Sequence, residues 1–158
     1  MALEIERKFL VDNKMWLDAV EKRISIVQFY VAIAADRSIR VRIKDGKEAR
    51  FTLKFGSDLP VRDEYEFPIP LQEAQEMMEF AIGTIIRKTR HHVRHKDYLY
   101  EIDVFSGELD GLVMTELETP DSVSQDMLPD WLGREVTGQQ AYSNASLALN
   151  GYPEPVLS

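Results

Sequence analysis

Residues 38–55 read SIRVRIKDGKEARFTLKF, and the alternation inside them governs how the rest of the chain is read. From Ser38 to Lys44, and again from Glu48 to Phe55, apolar and polar residues alternate with period two, the pattern of strands with one apolar and one polar face. The link between them, Lys44-Asp45-Gly46-Lys47, is short, polar and turn-compatible, so the two strands form an antiparallel hairpin. Residues two apart in a strand share a face. Arg40, Arg42 and Lys44 therefore project together, as do Thr52 and Lys54, while Val41, Ile43, Phe51, Leu53 and Phe55 point the other way.

The same pattern recurs outward from this hairpin. Strand-like segments lie near Leu3 to Val11, Ile26 to Ala34, Val61 to Pro68, Ile85 to Arg94, Tyr98 to Phe105 and Leu112 to Thr119, giving about eight in all. His95-Lys96-Asp97 supplies a second short turn. Helical spacing appears from Met15 to Arg23, from Leu71 to Ala81 after Pro70, and from Ala141 to Leu149 before Gly151, with a short helix before Pro129. Neither a repeat nor a linker interrupts residues 1–158, so the expectation is a single domain. Its predicted fold is α+β and β-dominated: an antiparallel β-barrel of about eight strands, with a charged lumen and helices packed outside.

Hydrophobic residues make up 44% of the 158 and charged residues 29%, an ordinary globular balance. With no cysteine, thiol nucleophiles, disulfides and cysteine-based zinc sites are excluded, so a metal would sit on oxygen or histidine. The net charge of −8 argues against nucleic-acid binding through a broad basic surface. Glu4-Ile5-Glu6-Arg7-Lys8 alternates charge where a signal peptide would be apolar, and no later run is long enough to span a membrane, so a cytoplasmic location is expected.

Charge recurs on one face of nearly every strand. Glu4, Glu6 and Lys8 form one row; Arg62, Glu64 and Glu66 another; then Lys88 with Arg90, Glu101 with Asp103, and Glu116 with Glu118. A solvent-facing sheet surface would account for any one of these pairs. Clustering by sign is harder to explain that way, because Arg40 beside Arg42, or Glu116 beside Glu118, crowds like charges that call for counter-ions. A triphosphate with magnesium meets both needs: its oxygens neutralise the arginines and lysines, and the divalent ion takes carboxylate oxygens. His91, His92 and His95 are expected in a solvated turn, and Trp16, Trp131, Met77 and Met78 in the core.

The rows and their order resemble the CYTH superfamily, the triphosphate tunnel metalloenzymes, in its bacterial branch. Glu4-Ile5-Glu6-Arg7-Lys8 looks like the family's ExExK motif. The match continues through Gln28-Phe29-Tyr30, Arg40-Val41-Arg42, Thr52-Leu53-Lys54, Arg62-Asp63-Glu64-Tyr65-Glu66, Lys88-Thr89-Arg90, Glu101-Ile102-Asp103 and Glu116-Leu117-Glu118. Gly133-Arg134-Glu135-Val136-Thr137 and Tyr142-Ser143-Asn144-Ala145 close it, so the likeness spans nearly the whole chain. Phe29, where a glycine is common, and Ala141, where bacterial relatives often have arginine, depart from the pattern.

That resemblance implies hydrolysis of a triphosphate, inorganic triphosphate foremost, by water attack on a terminal phosphorus with Mg2+ or Mn2+. It implies that Lys8, Arg40, Arg42, Lys54, Arg62, Lys88 and Arg90 hold phosphates, and that Glu4, Glu6, Asp103, Glu116 and Glu118 hold metal. Glu4 and Glu6 are expected to orient the attacking water. Lys8 has two readings, phosphate binding or proton transfer together with Tyr30. The expected partner is a small-molecule triphosphate, with no nucleic acid and no membrane. Two alternatives stand beside the hydrolase: a class IV adenylyl cyclase making cyclic AMP from ATP, and a noncatalytic polyphosphate-binding module.

Overall fold

In the computed structural model, residues 5–56, 63–119 and 122–153 are described. Nine strands form one sheet: β1 (Ile5–Val11), β2 (Val20–Ile33), β3 (Arg37–Lys44), β4 (Glu48–Phe55), β5 (Asp63–Ile69), β6 (Ile82–His95), β7 (Tyr98–Ser106), β8 (Val113–Thr119) and β9 (Leu132–Glu135). Helix α1 (Leu71–Met77) follows β5, and α2 (Asn144–Asn150) follows β9. The strand order is β5-β4-β3-β2-β6-β7-β8-β1-β9, and every neighbouring pair is antiparallel. Both anticipated hairpins are present, and their turn residues carry the positive φ that such tight links demand: 52° at Asp45 and 63° at Gly46, 48° at Lys96 and 68° at Asp97.

The eight expected strands all appear, and four differences from the sequence reading have physical causes. No helix forms over Met15 to Arg23; a single 3-10 turn at Leu17–Ala19 leads directly into β2. Residues from Val20 onward gain a long partner in β6, with Arg23 opposite His91 and Ile24 opposite Arg90, and this ladder overrides the weak local helical pattern. The ninth strand, β9, is four residues long and carries no alternation to reveal it, yet it pairs with β1 at Phe9–Glu135 and Val11–Leu132. The sheet is not closed among the described residues: β5 and β9 are its edges, and β9, short and offset by a register shift, offers little ladder to a partner. The fourth difference concerns a helix.

Helix α1 packs where helices were expected, on the apolar face, its Ala74 clustering with Phe29, Val41, Ile43 and Ala49. Farther along that face Trp16, Val93, Tyr100, Ile102, Leu117 and Trp131 form a second core. Helix α2 instead lies on the charged side. Its Leu147 and Ala148, with Tyr142 from the preceding 3-10 turn, join Tyr30, Ile86, Phe105 and Met114 in one buried cluster. Those four strand residues share the face of the charged rows but occupy its apolar end, which needs a cover. The helix is tied down locally: Ser143 caps it by accepting from the Ser146 N–H at 3.1 Å. Among the described residues no helix is long and apolar enough to cross a membrane.

The approach of α2 to the sheet depends on Gly83, at φ 70°, where a Cβ would collide with the Ala148 carbonyl oxygen. Gly83→Ala therefore meets both backbone strain and a backbone obstacle. It is expected to destabilise the fold by about 1–3 kcal/mol, and Leu147→Ala by about 2–5 kcal/mol, in urea unfolding monitored by tryptophan fluorescence.

Candidate active site

The ladder registers place the charged residues in continuous rows. Lys8 lies opposite Glu116, which lies opposite Glu101 and then His92. Met114, Asp103 and Arg90 make the next row, and Phe105, Lys88, Ile26 and Lys44 the one after. Ile86, Gln28, Arg42 and Arg50 follow, then Tyr30, Arg40, Thr52 and Glu66, and finally Ser38, Lys54 and Glu64. Period two assigned each residue to a face, but only these pairings make one surface of them.

At one side of that surface stand carboxylates. Glu6 faces Glu118 across the β1–β8 ladder, and Glu116 is two residues along. Oxygen atoms of Glu6, Glu116 and Glu118 come within 4.8 Å of one another, an all-oxygen set that could hold a hard divalent cation. Lys8 borders the trio, with its Nζ 3.7 Å from Glu116 and donating to the Tyr142 carbonyl at 3.2 Å.

The middle is organised by Asp103. Its Oδ1 accepts from Arg90 Nε at 2.8 Å, and its Oδ2 accepts from Arg90 at 3.0 Å and from Lys88 Nζ at 2.8 Å. Burial by itself would raise the Asp103 carboxyl, but Lys88 and Arg90 outweigh it and hold the group down at about 2. Burial pushes Lys88 down to about 8 against the pull of Asp103. Arg90 also reaches Glu101 at 3.1 Å, and these anions hold its guanidinium above the ordinary value despite burial. Beside them the Arg42 guanidinium is pushed down to about 10, first by burial and then by Arg40 and Arg90. Cations on this face are thus packed more closely than the anions among them satisfy.

Across β2, β3 and β4 the same surface contains polar atoms with no protein partner. Gln28 Oε1 accepts from Arg42 Nε at 2.9 Å, yet Gln28 Nε2, Arg40 Nε and Thr52 Oγ1 are buried without one. Burial raises the Tyr30 phenol pKa against the lowering effect of the neighbouring Arg40 guanidinium, so it stays protonated at neutral pH.

Of the residues singled out in the sequence, Glu6, Lys8, Tyr30, Arg40, Arg42, Lys54, Lys88, Arg90, Asp103, Glu116 and Glu118 share this face; Glu4 and Arg62 lie outside the described residues. Asp103 differs from the other expected metal ligands, since both its oxygens are engaged by Lys88 and Arg90. Lys8 lies beside Glu116, whereas Tyr30 lies opposite Arg40 on the ladder. Gln28 had no assigned role, although it stands in the Gln28-Phe29-Tyr30 stretch of the family resemblance and is a polar residue in the row Ile24, Ile26, Gln28, Tyr30. The histidines are not in a turn. All three belong to β6, and His91 is buried on the apolar face, its Nδ1 3.3 Å from the Ile102 carbonyl and its ring 5.0 Å from Trp16. A cleft of about 360 Å³ beside Arg7, Phe9 and Glu135 also opens on that apolar side, away from the charged rows.

Comparison with known proteins matches this arrangement to one family. The profile of the CYTH domain covers residues 2–152. An inorganic triphosphatase of Acetivibrio thermocellus is 38% identical over 153 residues, spanning 96% of this chain and 97% of its own. One from Nitrosomonas europaea is 35% identical over 151 residues, spanning 93% and 97%. A crystal structure of an inorganic triphosphatase superposes with a TM-score of 0.75 at 32% identity, covering 97% of this chain and 99% of that one.

Removing the charge of Asp103 tests the electrostatics directly. Asp103→Asn leaves the buried Lys88 without its anion and Arg90 with Glu101 alone, and is expected to cost about 3–5 kcal/mol at pH 7 in urea unfolding. The sign with pH follows from the lowered carboxyl: its contribution is complete above the ordinary value of 3.8 and is lost as pH falls toward about 2. The asparagine variant should therefore lose less stability than the wild type over that interval.

Proposed function

The chain belongs to the CYTH domain family, and on that premise we propose that it is an inorganic triphosphatase, hydrolysing inorganic triphosphate with magnesium or manganese. The observation that carries this reading is a carboxylate trio on the same sheet face as a row of buried and half-buried cations, of which Arg40 has a nitrogen with no acceptor among the described residues. A linear phosphate chain with a divalent ion complements both parts at once.

In this reading Arg40, Arg42, Lys54, Lys88 and Arg90 cradle the phosphate oxygens, with Arg62 as a further contributor. Phosphoryl transfer depends on positioning and charge neutralisation, so such a cradle supplies much of what catalysis requires. Glu6, Glu116 and Glu118 would hold the metal, with Glu4 as a fourth candidate two residues from Glu6; when bound, the ion adds positive charge against the phosphate oxygens. Water attacks a terminal phosphorus, a carboxylate among Glu4 and Glu6 takes its proton, and the bridging P–O bond breaks to give orthophosphate and diphosphate. No covalent enzyme intermediate is needed.

Asp103 acts as a positioning residue: it fixes the Lys88 ammonium and the Arg90 guanidinium where phosphate meets them. Lys8, beside Glu116, serves as a phosphate-binding cation at the metal end. Tyr30, opposite Arg40 on the ladder and protonated, is unsuited to act as a base.

Phosphate release decides the matter. The wild-type protein should turn over tripolyphosphate with magnesium or manganese, act more slowly on ATP and thiamine triphosphate, and stop when EDTA is added. Glu6→Gln and Glu116→Gln should each lower kcat by about a hundredfold or more, and Arg42→Ala should raise KM by about tenfold to a hundredfold. Cyclic AMP formed from ATP in a parallel assay would move the assignment to a cyclase, and metal-dependent binding without any product would move it to a binding module.

A further inference from the structure

Gln28 lies in the cation row with one side of its amide committed. Its side chain is fully buried, and the Nε–H of Arg42 points at it from 2.9 Å. An arginine can only donate, so the oxygen of the amide must face Arg42, and this fixes which way the group is turned. The NH2 is thereby directed away from Arg42, and no group among the described residues accepts from it. A buried amide N–H left unpaired is costly, which makes its retention informative.

The surroundings define what would accept from it. Arg42 lies opposite Gln28 on β3, Arg40 is two residues away on the same face, and Thr52 lies opposite Arg40 on β4. Arg40 Nε and Thr52 Oγ1 are also buried without partners, so unmet hydrogen-bonding capacity is concentrated on three adjoining strands. The missing component is an acceptor with several oxygens. A cation at position 28 would add to the repulsion that already disfavours the charge on Arg42, whereas an amide adds a donor without adding charge.

We propose that Gln28 is a substrate-binding residue whose NH2 donates to a phosphate oxygen of the triphosphate, while its carbonyl oxygen anchors Arg42 for the same anion. This rests on the triphosphatase reading and assigns to the site a neutral contact beside its charged ones. It also distinguishes Gln28 from a residue that only props up Arg42, because a prop needs the carbonyl and has no use for the NH2.

The test uses the full chain labelled with 15N-glutamine, with the Gln28 amide pair identified by its loss in Gln28→Met. Sodium tripolyphosphate is titrated without divalent metal, and calorimetry is run in parallel. The expected result is that the Gln28 NH2 signals shift and exchange with water at least about tenfold more slowly, saturating together with the heat of binding. Gln28→Met should weaken binding by about tenfold to a hundredfold. Gln28→Glu, which keeps an acceptor for Arg42 but loses the donor, should weaken it at least as much while unfolding at the same urea concentration as the wild type. The proposal is overturned if tripolyphosphate binds while the Gln28 signals stay unchanged, or if Gln28→Glu binds within twofold of wild type. Should the wild-type protein neither bind nor turn over tripolyphosphate even when magnesium or manganese is supplied, the triphosphatase reading itself falls and this contact with it.

Discussion

Lys88 is buried and Arg90, Arg42 and Arg40 are half-buried at neighbouring positions on one face of the sheet, and cations this close and this shielded from water need an anion among them. Asp103 is that anion for Lys88 and Arg90, with both oxygens engaged and its carboxyl held down at about 2. Among the described residues Arg40 and Arg42 have no equivalent. Gln28 gives Arg42 a neutral acceptor, and Arg40 has a buried nitrogen that none of the described residues satisfies. The resulting surface is balanced at one part and deficient in negative charge at another, which is the electrostatic requirement of a site for a polyanion.

The rest of the fold serves to hold that surface in place. On the far side of the sheet, apolar side chains alternate with the charged ones and pack into two cores, one covered by α1 and the other built around Trp16, Tyr100 and Trp131. At the apolar end of the charged face, α2 buries Tyr30, Ile86, Phe105 and Met114, excluding water from the flank of the cation row. The Tyr142 carbonyl, presented just ahead of α2, also accepts from Lys8, so the same segment steadies a cation at the carboxylate end. Packing and charge placement are therefore coupled through a helix of seven residues.

Much of the site was legible before any coordinates, because strand periodicity is local. Two residues along a strand return to the same face whatever the partner strand, so the rows Glu6-Lys8, Arg40-Arg42, Lys88-Arg90 and Glu116-Glu118 could be read directly. Gln28 stands in a stretch that carries the family resemblance, but an amide in a row with Ile24, Ile26 and Tyr30 has no charge from which a role could be read. Asp103 was grouped with the metal ligands because it is a carboxylate, and its partners lie 13 and 15 residues back in the chain. The misread helix has the same origin: Val20 to Arg23 took its conformation from pairing between β2 and β6, which no short window contains.

The sequence by itself thus determined the strand-rich class, the faces on which charge collects and the chemistry those charges could serve, since each depends on neighbours one or two residues away. Only the tertiary structure decided which charge stands opposite which, that α2 packs on the charged face, that a ninth strand extends the sheet beyond β1, and which buried donors lack an acceptor. Those are properties of register and packing, set by contacts between residues far apart in the chain, where a shift of one position would move every side chain of a strand to the opposite face.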